Sequence, residues 1–222
     1  MLGRAAGLGF SALGGLLDAF IAIMAAIYLA YDPALYRRGL VRLFPAARQE
    51  PLDAALVTTG RALKLWFAGQ LVSMAFVGVT GALVFWWIGL PAPVALGLIA
   101  GLTNFVPFVG PVVGSLPALV FAFNVGLDAL LWTLAFIVVI QQVEGNVLVP
   151  LVQRRAVMLP PALGLFAIVA FGLLYGFLGV FLAVPITVTL MVLVKMLWMR
   201  GTLGEETQVP GEETRGTGNT SP

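Results

Sequence analysis

Residues 101–117 read GLTNFVPFVGPVVGSLP and carry three prolines and three glycines inside the hydrophobic run at 94–123. Proline lacks a backbone donor and clashes with the preceding helical turn, so we do not expect an unbroken helix through Pro107 and Pro111. A broken backbone at membrane depth is tolerated only where it is buried in protein or lines a watery cavity. The sequence therefore predicts a helix–break–helix at the centre of a translocation path.

The composition is typical of a membrane protein. Of the 222 residues, 60% are hydrophobic and 10% are charged, whereas soluble domains are about 25% charged. The sequence contains no cysteine and no histidine, which excludes disulfides, thiol nucleophiles, haem and the usual zinc or copper sites. We therefore expect no cofactor and no metal. The net charge of +2 gives no reason to expect a nucleic-acid partner.

The hydropathy pattern predicts an all-α, polytopic transmembrane domain over residues 1–199 and a disordered polar tail at 200–222. A cytoplasmic amphipathic segment at 32–65, divided by Pro45 and Pro51, follows the first span. The last hydrophobic block is either two short spans or a second hairpin with a terminal helix. The predicted spans are 12–31, 66–90, 127–149, 161–175 and 177–199, with the re-entrant segment at 94–123.

The charge distribution favours a re-entrant hairpin at 94–123. The loop at 32–66 carries six basic residues and three acidic ones, which marks its side as cytoplasmic. If 94–123 entered and left the membrane on the external side, Arg154, Arg155 and the 195–200 end would also be cytoplasmic. A single crossing would instead place these basic residues outside.

The candidate site combines the broken segment with the polar end of the 127–149 helix. Half-helix ends carry partial charges that suit a polar solute or an ion, and a membrane carboxylate can bind a cation or carry a coupling proton. Two structural alternatives stay open: Asn104 as a helix C-cap, and Glu144 paired at the interface with Arg154 or Arg155. The residues expected at the site are Asn104, Pro107, Gly110, Pro111, Gln141, Gln142, Glu144 and Asn146.

Five stretches of the sequence carry a family resemblance: Tyr28 to Pro45, Gly69-Gln70-Leu71, Gly101 to Gly114, Gln141 to Pro150, and Gly176 to Pro185. Together they resemble the autoinducer-2 exporter (AI-2E) family of bacterial permeases and cover most of residues 12–199 in the family's order. Family members usually carry further membrane helices before the span expected here at 12–31. The expectation is therefore a natural short form, with a mis-assigned start or a fragment as the alternatives.

The resemblance implies a multi-pass protein of the bacterial inner membrane that assembles as a homo-oligomer in the lipid bilayer. It implies export of a small polar signalling molecule, or exchange of sodium or lithium for protons. A membrane subunit that does not transport alone is a further alternative. An enzyme is not expected, because no Ser–His or Cys–His pair exists and Asp18 and Glu144 lack the spacing of a catalytic dyad.

Overall fold

A computed structural model describes residues 20–21, 24–148, 160–201 and 209–210. The chain forms two compact units, Met1–Leu56 and Val57–Pro222. All regular elements of the described residues are helical, which confirms the all-α class. Among the described residues, three helices are long and apolar enough to cross a membrane, and the chain is therefore polytopic. They are Ala46–Ile88, Leu127–Leu148 and Pro161–Arg200.

The first unit contains a short capped helix. Residues 24–31 are helical, and half of the predicted 12–31 span lies outside the described residues. Helix α1 follows at Pro33–Val41, where the Asp32 side chain accepts a hydrogen bond from the first helical turn. Arg37 and Asp53 form an ion pair at 3.4 Å. Because both side chains are partly exposed, we expect this pair to contribute less than about 1 kcal/mol.

Helix α2 spans Ala46–Ile88 without interruption. It begins directly after Pro45 and includes Pro51 near its start, where a proline removes few helical hydrogen bonds. No further proline follows until Pro91. The predicted amphipathic segment at 32–65 is therefore divided between α1 and the start of α2, and its part from residue 46 onward is continuous with the span predicted at 66–90.

The broken segment folds as two helices that lie against each other. Helices α3 and α4 span Pro93–Thr103 and Val109–Val125, which confirms the predicted helix–break–helix. A Cβ atom at Gly110 would overlap the carbonyl of Thr103, so only glycine permits so close an approach of the two backbones. Entry and return at the same membrane face stays a prediction.

Small residues bring α2 and α3 into direct backbone contact. A Cβ atom at Gly97 would lie 2.6 Å from the Ala82 nitrogen, and one at Gly101 would lie 2.9 Å from the Gly78 Cα atom. Such small-residue contacts let helices approach closely in membranes. The hairpin of α3 and α4 is thereby held against the middle of α2.

Helix α5 spans Leu127–Val143 and continues as a π-helical turn over Glu144–Leu148. Helix α6 spans Pro161–Leu193 and continues as π-helix to Arg200. The chain reverses within α6 at Gly176, whose φ of 61° and ψ of −140° are not helical.

The reversal in α6 makes a second hairpin. A Cβ atom at Gly179 would overlap the carbonyl of Phe171, eight residues earlier, which an unbroken helix would not allow. One buried cluster joins the two arms on either side of Gly176 and consists of Ala167, Ile168 and Ala183. The arms before and after Gly176 thus lie against each other, and both interpretations of 161–199, two short spans or a second hairpin with a terminal helix, stay predictions.

Part of the predicted tail is packed rather than free. Val209 is 6% exposed and joins Ala62, Trp66, Val184 and Val188 in a buried cluster. The free energy gained by burying this apolar side chain offsets the conformational entropy that the chain loses when it is ordered at Val209. Residues 202–208 and 211–222, which make up most of the predicted disordered region, lie outside the described residues.

Candidate functional site

A cavity of about 480 Å³ lies where α2, the tip of the α3–α4 hairpin, the end of α5 and the start of α6 meet. Its volume is in the range of ligand pockets, about 300–1,000 Å³. Its polar lining comes from side chains of three different elements. The lining residues include Trp66, Gly69, Gln70, Ser73, Asn104, Pro107, Phe108, Pro111, Gln141, Glu144, Gly145, Leu148, Pro161 and Gly164.

A hydrogen-bonded cluster of four residues forms one wall of this cavity. Asn104 Nδ2 donates to Glu144 Oε1 at 2.7 Å and to Ser73 Oγ at 3.0 Å. The Ser73 hydroxyl also donates to Glu144 Oε1. Gln70 Nε2 donates to the main-chain carbonyl of Asn104 at 2.6 Å. The cluster therefore joins α2, the hairpin break and α5.

The helix break explains why Asn104 can make these bonds. Asn104 ends α3 with αR geometry and is 2% exposed. The last carbonyls of a helix have no partner within it, and Gln70 supplies one for Asn104. The backbone of Asn104 thus ends the helix, as in the helix-cap alternative, while its side chain contacts Glu144. A binding role for Asn104 stays a prediction.

Glu144 stands where α5 changes from α-helix to π-helix. Such π-helical turns are frequent at functional sites, because they redirect side chains. On α2, Gln70 and Ser73 are three residues apart and so share one face. The predicted alternative of a Glu144 pair with Arg154 or Arg155 lies outside the described residues.

Aromatic rings position the hairpin tip. Phe105 stacks on Phe181 with ring centroids 4.2 Å apart, and its ring also meets Trp66 and Phe67 edge to face. Aromatic pairs in these geometries are stabilised by about 0.5–1.5 kcal/mol each beyond their burial. The adjacent Phe108 has a φ of 67°, a conformation that non-glycine residues adopt mainly where the surroundings force it.

The predicted site residues fall into three groups. Asn104 and Glu144 are in direct contact, and Pro107, Pro111 and Gln141 line the cavity. Gly110 lies behind the lining, against the end of α3. Gln142 and Asn146 are exposed and are not among the described lining residues. Their ligand roles, like those of the whole set, stay predictions.

Sequence reasoning missed Gln70 and Ser73 as site residues. Both are buried, with 5% and 6% of their surface exposed, in a helix that is otherwise mostly apolar. A polar pair at i and i+3 in a membrane span indicates a face directed at protein rather than lipid. The spacing of Gln70 and Ser73 was therefore a signal in the sequence for a protein-facing polar site on α2.

The cavity combines one carboxylate with amide and hydroxyl groups. Glu144 is the one charged side chain among the described residues that line it. Within the part of the chain that the structure describes, no three His, Cys, Asp or Glu residues come together. This arrangement suits a polar or cationic solute bound by oxygen atoms and amide donors.

The comparisons with known proteins agree with this membrane architecture. A family model described as AI-2E family transporter matches residues 6–198. A Bacillus subtilis (strain 168) protein named as a transport protein, YrrI, is 34% identical over 75% of this chain and 47% of its own length. An Escherichia coli (strain K12) protein named as a permease, PerM, is 33% identical over 64% of this chain and 40% of its own length.

A third relative, a protein of Thermotoga maritima named as a transport protein, is 30% identical over 84% of this chain and 56% of its own length. The chain thus spans about half the length of the curated relatives it matches. No solved structure matches the chain.

Proposed function

The chain belongs to the AI-2E transporter family, and we propose that it is a secondary transporter that exports a small polar solute through the cavity at the hairpin tip. A transporter family points away from an enzyme. The observation that carries the proposal is the contact between Asn104 and Glu144 in the wall of that cavity. It joins a helix break to a carboxylate at membrane depth, an arrangement that substrate sites of transporters use.

We propose that Glu144, Asn104, Ser73, Gln70 and Gln141 bind the solute. The carboxylate and the side-chain oxygens would accept hydrogen bonds from solute hydroxyl groups, while the amide groups of Asn104 and Gln70 would donate. Because these groups already bond one another, a solute must replace those bonds. The cluster would therefore rearrange on binding, which couples occupancy to movement of the hairpin.

The proposed membrane is the bacterial inner membrane, with the large cavity facing the cytoplasm. The basic loop at 32–66 precedes the part of α2 that lines the cavity, and basic loops stay cytoplasmic. The opposite end of α2 carries Trp86 and Trp87, both exposed, as in an interfacial aromatic belt. A solute would enter the cavity from the cytoplasm and leave at the tryptophan end.

The test is uptake of autoinducer-2 into everted vesicles that contain the full chain. We expect uptake above that of empty vesicles and a loss of at least about tenfold in Glu144→Gln, because a lost charge-assisted hydrogen bond is worth about 1.5–3 kcal/mol. Asp128→Asn is the matched control, since Asp128 is an exposed carboxylate at the other end of α5. An equal loss in both variants would contradict the proposal.

Exchange of sodium or lithium for protons is the second candidate function. The observation that favours it is the single charge of the described cavity lining, the Glu144 carboxylate, which lies beside the Ser73 hydroxyl. Carboxylate and hydroxyl oxygens are the ligands that hard cations prefer. Addition of NaCl or LiCl to acid-loaded everted vesicles distinguishes the two. Cation-dependent proton release that Glu144→Gln abolishes favours exchange, and uptake of organic solute alone favours export.

A homo-oligomer is proposed as well, and with it the alternative that the chain serves as a subunit that does not transport alone. Well-expressed chain that forms a defined oligomer, yet moves neither organic solute nor protons, would support that alternative. Mass measurement in detergent gives the subunit number independently of transport.

A further inference from the structure

A second, much smaller cavity lies on the other side of the hydrogen-bonded cluster. Its volume is about 30 Å³, which is the share of one water molecule in the liquid. It shares Asn104, Pro111, Gln141 and Glu144 with the large cavity. Its other lining residues are Val77, Phe85, Ala100, Ser115, Phe136, Ile137 and Ile140.

The positions along α2 place the small cavity beyond the cluster and towards the tryptophan end. Residues 66–73 of α2 line the large cavity, and Val77 and Phe85 line the small one. At 1.5 Å per residue, Phe85 lies about 18 Å further along the helix than Ser73. Helix α5 runs antiparallel to α2. Leu148 near its end lines the large cavity, and Phe136 earlier in the helix lines the small one, so α5 also places the small cavity towards the tryptophan end.

An aromatic pair closes the small cavity. Phe85 and Phe136 meet edge to face with ring centroids 5.5 Å apart. Phe85 is 1% exposed and packs in a buried cluster with Leu90, Leu96, Ala118, Ala122 and Ala129. Past this pair, the ends of α2 and α5 carry Trp87 and Trp132, whose rings are 5.5 Å apart.

A buried hydroxyl lies further along the same face of α5. Thr133 is fully buried, and its Oγ1 atom has no hydrogen-bond partner among the described residues. Four other threonines, by contrast, donate to the carbonyl four residues earlier. They are Thr80, Thr103, Thr187 and Thr189.

The position of Thr133 fits a path through the protein. It lies three and four residues before Phe136 and Ile137, so the three side chains share one face of the helix. A buried polar group without a partner is destabilising and calls for an explanation such as a water or a solute that reaches it in another state.

We propose that the Phe85–Phe136 pair is a closed gate on the exit half of the transport path, and that Thr133 is a polar group of that path beyond the gate. This inference rests on the proposed transport function. Narrow hydrophobic constrictions exclude water and thereby block the passage of polar solutes. Separation of the two rings would join the small cavity to the tryptophan end, while the Asn104–Glu144 contact separates it from the large cavity.

The absence of cysteine from the sequence allows a clean accessibility test. Ser115→Cys places a thiol in the small cavity, and Thr133→Cys places one beyond the pair. A membrane-impermeant, positively charged methanethiosulfonate is applied separately to right-side-out and to everted vesicles. We expect slow labelling of Ser115→Cys from the tryptophan side, and at least tenfold faster labelling when Phe85→Ala is added.

The matched control is Phe123→Ala, which removes an exposed ring from α4 and should leave the rate unchanged. If Phe85→Ala does not give monodisperse protein, Phe136→Ala tests the same gate, because Phe136 is only partly buried. Unchanged labelling with both substitutions, or labelling of Thr133→Cys at equal rates from both faces, would overturn the inference.

The labelling experiment does not require transport, so it separates the two proposals. If opening the pair speeds labelling while vesicles take up neither solute nor cation, the closure of the small cavity by Phe85 and Phe136 stands and the proposed transport function fails. If uptake depends on Glu144 but labelling is unaffected by the aromatic substitutions, transport stands and the gate inference fails.

Discussion

Replacing Asn104 by alanine separates two kinds of hydrogen bond made by the same residue. The side-chain amide donates to Glu144 and Ser73, and alanine removes both bonds. The main-chain carbonyl accepts from Gln70, and alanine keeps that acceptor. The effect of Asn104→Ala on the free energy of unfolding should therefore depend on whether Glu144 is present and should not depend on Gln70.

The expected size of the coupling follows from the chemistry of each bond. A hydrogen bond to a charged group contributes about 1.5–3 kcal/mol, but interhelical bonds in membrane proteins reach only about 1.7 kcal/mol by double-mutant cycles. We expect a coupling energy of about 1–2 kcal/mol between Asn104→Ala and Glu144→Ala. Between Asn104→Ala and Gln70→Ala we expect less than about 0.5 kcal/mol, the usual limit for independent sites.

The assay is equilibrium unfolding in mixed micelles by titration with a denaturing detergent, followed by tryptophan fluorescence from the five tryptophans of the chain. Each cycle needs the parent, two single variants and the double variant. Gln142→Ala is the control partner, because Gln142 is exposed on the turn next to the cluster and should show no coupling to Asn104→Ala.

A coupling between Asn104 and Gln70 as large as that between Asn104 and Glu144 would refute the reasoning. It would mean that the side chain of Asn104, not its carbonyl, is the partner of Gln70. No coupling in either cycle would mean that the cluster does not form in the folded protein.

Three further outcomes are expected. Gly110→Ala should lower the free energy of unfolding by about 1–3 kcal/mol, because the new methyl group overlaps the backbone at the end of α3. Gly60→Ala, with nothing within 4 Å, should instead raise it by about 0.5–1 kcal/mol, because alanine is the better helix former inside α2. Equal destabilisation by both variants would contradict the close hairpin. Gly176→Ala should lower the free energy of unfolding by about 1–3 kcal/mol, because alanine is strained at a φ of 61° and a ψ of −140°. An unchanged free energy of unfolding would argue against a chain reversal at Gly176. Gln141→Ala should reduce vesicle uptake severalfold while Gln142→Ala should not, because only the former is a lining residue; identical uptake by both variants would remove Gln141 from the site.

The sequence predicted the helix–break–helix at 94–123 well because its signals are local. Pro107 lies in the break itself, and Pro111 lies in the first turn of α4, where a proline removes few helical hydrogen bonds. The same kind of local signal located the break at Gly176 without deciding between two spans and a hairpin. The packing of the two arms against each other was not predictable either, because it depends on contacts between residues far apart in sequence.

The difference between local signals and distant contacts also explains why only part of the site was predicted. Glu144 and Asn104 stood out because polar groups in an apolar run are costly. Gln70 and Ser73 were not assigned to the site, because their place in it depends on hydrogen bonds to Asn104, which is more than 30 positions away in the sequence. Gln142 and Asn146 were included because composition marks a polar segment as a whole, whereas only the helical rotation decides which of its side chains face the cavity.

By itself, the sequence determined that the protein is helical, lies in a membrane and breaks its backbone near Asn104, because hydrophobicity and proline act on the chain locally. Only the tertiary structure decided that Asn104 meets Glu144, and that one cavity lies on each side of this contact. These features depend on the close approach of helices at glycines such as Gly97 and Gly110. Helix rotation and backbone separation are set by such contacts between distant residues, and a linear pattern does not contain them.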